Sequence, residues 1–171
     1  MGACAGGHAA AHVDGTFDVA TVAESNVKLP PYPYVDYPAS LPKDMRSALP
    51  PVYDQTIVID GANLRTVEGN TSKRLVSNYG PRMAAFALRR NDAGAIKAMG
   101  GAKVNTVMPA DDQWLARQGP EHGAFFEKLG FTGLNLHGVD SYDVYLIHQG
   151  ATNIWIVIGE LLDNGGSWLT V

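Results

Sequence analysis

The residues best equipped for chemistry are few, and their spacing assembles no reaction centre. His8 and His12 stand four apart, a separation that on a helix would put two imidazoles on one face and offer part of a metal site. They lie in an Ala- and Gly-rich stretch without helical periodicity, so no metal ligand is assigned there. His122, His137 and His148 fall in different elements, and His148, at the end of a strand, is read as a sheet residue with satisfied hydrogen bonds. Nucleophilic catalysis needs a Ser or Cys held against a His and a carboxylate. No serine occupies a Gly-x-Ser-x-Gly elbow between strand and helix, and Cys4 has no ordered His in prospect to draw off its proton. Asp111 and Asp112 precede an apolar run, where carboxylates cap a helix and complement its dipole. Glu68 and Asp140 flank turns. The clusters Gly100-Gly101 and Asn164-Gly-Gly166 lack the spacing of a phosphate-cradling loop that opens a helix. These readings assign no catalytic, metal or cofactor-binding residue and no cofactor, and they favour a protein that is not an enzyme.

The chain has one cysteine, which excludes an internal disulfide and a zinc site built from several thiolates. Its setting, Met1-Gly-Ala-Cys4-Ala-Gly-Gly, resembles the junction at which a bacterial lipoprotein signal is cut, with small residues before a cysteine that becomes lipidated. Cys4 is therefore a candidate lipidation site, and membrane contact is expected only through such an anchor. The alternative is an incidental cysteine in an Ala/Gly-rich start. A formal charge of −4 and a pI near 5.6, with Lys73-Arg74 and Arg89-Arg90 as the only adjacent basic pairs, argue against a nucleic-acid partner. No window approaches the roughly 20 consecutive apolar residues that a helix needs to span a bilayer.

The elements that would position any site follow from composition and period. With 171 residues, 46% of them hydrophobic, the chain can bury one core of ordinary size. Residues 1–28 read as a flexible Ala/Gly-rich tether. Residues 29–51 carry seven of the ten prolines together with Tyr32, Tyr34 and Tyr37. They read as an extended arm, because proline fixes its own φ and restrains the residue before it. An α+β domain is expected over 52–171. Its first strands are predicted at 54–60, 62–68 and 71–79, with turns at Asp60-Gly61 and Gly69-Asn70. A helix is predicted over 81–99 from apolar residues at three- and four-residue spacing, closed by Gly100-Gly101. A strand at 102–108, a second helix broken into 113–117 and 121–129, and a short strand at 134–138 follow. Three closing strands are predicted at 142–148, 153–158 and 167–171, the last two joined by a turn at Asn164-Gly165. The resulting expectation is an antiparallel or mixed sheet of about five to six strands, with one main helix and a second broken helix packed on one face.

In the strand Asn153-Ile-Trp-Ile-Val-Ile158, Trp155 alternates with Ile154, Ile156 and Ile158, so the strand is apolar on both faces. A helix covers one face. The other needs the tyrosine-rich arm or a partner, which makes Tyr32, Tyr34, Tyr37, Trp155 and Trp168 a candidate interaction surface and a homodimer one way to bury it. Two rivals stand beside this reading. One is a small-molecule or enzyme-like pocket between helix 81–99 and the sheet, lined by Tyr79, Phe86, His148 and Trp155. The other is an arm that serves as ligand for a partner's proline-binding groove.

The chain resembles the N-terminal domain that precedes the peptidoglycan-binding module in some OmpA-family envelope proteins of Gram-negative bacteria. The resemblance rests on Leu29-Pro-Pro-Tyr-Pro-Tyr34, Leu64-Arg-Thr-Val-Glu-Gly69, Leu88-Arg-Arg-Asn-Asp-Ala-Gly-Ala-Ile-Lys-Ala-Met-Gly-Gly101 and Tyr142-Asp-Val-Tyr-Leu-Ile147. It continues through Asn153-Ile-Trp-Ile-Val-Ile158 and Gly165-Gly-Ser-Trp-Leu-Thr-Val171. It implies an outer-membrane or periplasmic protein with a structural or adaptor role and no catalysis in this region. The Asp and Arg that grip the peptide stem in the peptidoglycan module have no counterpart here. The expectation is thus a non-catalytic cell-envelope domain, a spacer or protein-binding module with an envelope protein as partner. An apolar signal is expected before Cys4, and further chain after Val171.

Overall fold

The computed structural model describes residues 17–76, 82–109, 139–161 and 167–171. Its longest strands form a hairpin: β1 (Arg46–Asp60) and β2 (Asn63–Val76) pair antiparallel from end to end. Gly61 turns it with a φ of 60°, a left-handed conformation that glycine adopts without a Cβ clash. Helix α1 (Arg82–Ala98) follows, then a two-residue strand β3 (Ala102–Lys103). The chain closes through β4 (Val139–Gln149), β5 (Thr152–Leu161) and β6 (Ser167–Thr170). The sheet order is β1-β2-β6-β5-β4-β3, every neighbouring pair antiparallel.

The expected α+β layering is not what forms. About half of the described residues are in strands and a single helix lies among them, so the fold is β-rich. The expected second helix, at 113–117 and 121–129, lies outside the described residues, as do the strand at 134–138 and the Asn164-Gly165 turn. The reason for the β-rich outcome lies in the hairpin. Gly69-Asn70, expected to turn the chain, sits inside β2 opposite Asp54 and Tyr53, and the alternating pattern runs through it unbroken. At the other end β1 reaches back into the arm. Pro50 and Pro51 occupy a bulge between Leu49 and Val52, the irregularity that lets a strand hold residues without an N–H.

Both faces of β4 and β5 are covered. Ile154, Ile156, Ile158, Tyr145 and Ile147 pack with Ile96 of α1, with Met99 just past its end and with Val35 of the arm. On the other face Tyr142, Val144, Leu146 and Val157 pack against Val58 and Ile59 of the hairpin and Val22 of the N-terminal segment. The second cover that Trp155 needs is therefore the chain's own hairpin, which curls back over the sheet. Its tip is latched where the Gly61 N–H donates to the Val104 carbonyl (3.0 Å) and the Thr106 N–H to the Gly61 carbonyl (2.7 Å). Burial of this kind contributes about 25 cal/mol per Å² of apolar surface. Residues 17–25, within the expected tether, are docked. The Ser25 N–H donates to the His148 carbonyl (2.7 Å), and the Ser25 hydroxyl donates to the Met99 carbonyl (2.7 Å). No helix among the described residues is long and apolar enough to cross a membrane.

Candidate functional site: a cleft between two strands

β6 is short and the strands on either side of it are long. Its four residues pair with Lys73–Val76 of β2 on one side and Val157–Glu160 of β5 on the other. Val171 adds a last rung, exchanging two hydrogen bonds of 2.9 Å with Ser72. Past that point β2 and β5 continue without a strand between them, and the space they leave is a cavity of about 460 Å³. Its two sides differ. One carries Val58, Val67, Trp155 and Val157, the other Ile154, Val171, Tyr32 and Tyr34, while Glu68, Gly69, Asn70, Thr152 and Asn153 line the strand walls.

The arm supplies the aromatic side because its backbone folds tightly there. The Tyr34 N–H donates to the Pro31 carbonyl (2.9 Å) and the Val35 N–H to the Pro33 carbonyl (2.9 Å). This holds Tyr34 at a φ of 70°, a left-handed conformation that costs a residue with a Cβ about 1–2 kcal/mol. The Tyr32 and Tyr34 rings meet edge to face at 5.5 Å, a favoured aromatic geometry. Burial raises the Tyr32 hydroxyl pKa above its ordinary value, partly offset by the neighbouring Ser72 side chain. Across the cleft the Arg65 guanidinium lies over the Trp155 ring at 5.6 Å. Arg65 is fixed by an ion pair with buried Asp60 and by a 3.1 Å bond to the Phe17 carbonyl.

Of the described residues that line the cleft, Glu68 is the one carboxylate, and it accepts a 3.0 Å hydrogen bond from the Tyr53 hydroxyl. The buried acids elsewhere are held by cations. Asp92 pairs with Arg74 at 2.5 Å, and Asp143 pairs with Arg89 and Lys103 at 2.6 Å each. Glu160 accepts from the Ser141 hydroxyl at 2.8 Å. These groups join helix, arm and sheet. Among the described residues no three His, Cys, Asp or Glu side chains converge to hold a metal.

The candidate residues of the sequence thus separate. Tyr32, Tyr34 and Trp155 come together at the cleft. Tyr37 does not: its hydroxyl donates to the Ser47 carbonyl (2.6 Å), and Arg74 and Arg46 stack on its ring at 4.9 and 5.5 Å. Trp168 stands in β6 between Leu75 and Gly159, and Cys4, His8, His12, Tyr79, His122 and His137 lie outside the described residues. The described members of the pocket expected between helix and sheet do not converge. Phe86 is 55% exposed, Trp155 is on the face away from α1, and the His148 imidazole is bonded to Asn153 Oδ1 at 2.8 Å. Gly69, Asn70 and Thr71 were hidden by the turn chemistry of Gly-Asn. The signal that finds them is the unbroken alternation on both sides of Gly69. No family model matches the chain, and no curated protein or solved structure does.

Proposed function

We propose that this chain is a non-catalytic protein-binding domain and that the cleft between β2 and β5 is its binding site, in the cell-envelope setting that the OmpA-like resemblance implies. One observation carries the reading. A cavity of about 460 Å³ opens between two strands and is lined by aromatic rings, aliphatic side chains and main chain, with a single carboxylate already engaged by Tyr53. Rigid aromatic anchors beside apolar side chains are what protein recognition uses most. A catalytic centre needs an activated acid, base or nucleophile, and the cleft presents none among its described residues.

Gly69 provides the test. A Cβ built there meets nothing within 4 Å, so Gly69→Val should place an isopropyl group in the cleft with room for its Cβ. Random peptides displayed on phage and selected on the wild-type chain should give clones that bind it and lose binding to Gly69→Val. Clones that bind both proteins equally would remove the cleft from consideration as the binding site.

A further inference from the structure

We infer that the exposed run Leu49-Pro50-Pro51-Val52-Tyr53, on the outer strand of the sheet, is a ligand for a partner protein whose groove is lined by aromatic rings that clasp proline. None of these five residues lines the cleft, so the inference does not rest on it.

The chain has two runs of adjacent prolines beside aromatic residues, and they fare differently. In Pro30-Pro31-Tyr32-Pro33-Tyr34 the rings are folded onto the chain's own body. Tyr34 packs against the core on the helix side of the sheet, Tyr32 meets it edge to face, and the carbonyl of the next residue, Val35, accepts from Arg74. In the second run every residue from Ser47 to Tyr53 is exposed, with Leu49 at 49%, Val52 at 53% and Tyr53 at 70%. Single exposed apolar side chains are ordinary. An unbroken run of five is a contiguous patch, and such patches mark contact surfaces.

The strand displays this run because the ladder cannot absorb it. From Leu49 to Val52, β1 advances three residues while β2 advances two, from Lys73 to Thr71, so the prolines stand at a bulge. Each proline fixes its own φ, and Leu49 and Pro50, which each precede a proline, are held extended. The run is therefore preset close to the polyproline conformation that aromatic-lined grooves select, and it loses little freedom on docking. β1 has a neighbour on one side only, which leaves the other open to a partner. Tyr53 adds an anchor beside the two proline rings. Its hydroxyl donates to Glu68 (3.0 Å), which steadies the ring, and rigid aromatic anchors carry a large share of binding energy at protein interfaces. Asp54 follows in sequence, its carboxylate accepting from the Gln55 N–H (2.8 Å). With Glu68 it makes the tyrosine end acidic, so a groove with a basic rim complements it.

The test uses the full chain and one probe, an isolated WW domain, whose aromatic groove takes Pro-Pro-x-Tyr segments. Isothermal titration calorimetry should show saturable binding. Tyr53→Ala and Pro51→Ala should each weaken it roughly tenfold or more, as expected for the loss of one anchor, and their melting temperatures should confirm that both variants fold. Pro31→Ala, in the first proline run, and Gly69→Val, in the cleft, should bind the probe as the wild type does. Failure of the wild type to bind would overturn the inference, as would undiminished binding by folded Tyr53→Ala and Pro51→Ala. Loss of binding in Pro31→Ala alone would overturn it by moving the site to the first run, and loss in Gly69→Val alone by moving it to the cleft. The phage selection on Gly69→Val tests the cleft separately, so either reading can fail without the other.

Discussion

Arg74 shows at the scale of one residue how three parts of the chain are joined. Its guanidinium donates to Asp92 of the helix (2.5 Å) and to the Val35 carbonyl of the arm (2.8 Å), and it covers the Tyr37 ring. Burial raises the Asp92 carboxyl pKa, against the pull of Arg74. Arg74→Met should therefore destabilise the fold by about 3–5 kcal/mol, the cost of leaving one member of a buried pair alone. Arg74→Met with Asp92→Leu should recover most of that loss in urea denaturation. If the double variant were no more stable than the single, Arg74 would act through its packing rather than its charge. The sign of the pH dependence follows from the raised carboxyl. A folded state that holds its proton more tightly than the unfolded chain is favoured in full below the unfolded pKa, near 3.8. That advantage is lost as pH rises through the folded value. The deficit of Arg74→Met should shrink on acidification toward pH 4, and a deficit that grew there would contradict the assignment.

Among the elements, the junction of helix and sheet turns on glycine. Gly100 ends α1 with a φ of 88°, and a Cβ there would come within 2.6 Å of the Ser25 hydroxyl oxygen. Gly100→Ala should cost about 1–3 kcal/mol and release the N-terminal segment, seen as faster proteolysis around residues 17–28. Unchanged cleavage would mean that Ser25 is not what holds the segment. The sequence made this junction legible, since Gly100-Gly101 after a helical period is a C-terminal stop. The alternation of β4 and β5 and the apolar character of both faces of β5 were equally readable. The hairpin was harder. Gly69-Asn70 has the composition of a turn, yet strand pairing over the whole length of β1 outweighs two residues of local preference. Only contacts between residues far apart in sequence decide that the hairpin curls over Trp155. Less legible still was the cleft, because its hydrogen-bonding walls are main chain and every residue type carries the same groups.

In the molecule as a whole, the helix with its arm and the curled hairpin lie on opposite faces of the same two strands, so neither cover survives without β4 and β5. Trp fluorescence and helical circular dichroism should lose their native signals together in denaturant. Two separate midpoints would show that the covers unfold independently. Gly69→Val should raise the stability of the whole by about 0.5–1 kcal/mol, since glycine weakens a strand interior, while abolishing peptide binding. A less stable variant would mean that the valine side chain does not fit the space beside Gly69. The bulge at Pro50-Pro51 has a consequence of its own. β1 is the outer strand of the sheet, the place where copies of a β-rich protein would zip together into fibres. Neither proline has an N–H to give, and next to β3, at the opposite margin, Gly61 takes up hydrogen bonds of Val104 and Thr106. Copies of the domain meeting at these margins find fewer main-chain groups to pair with, which works against the edge-to-edge growth that an open-edged sheet invites.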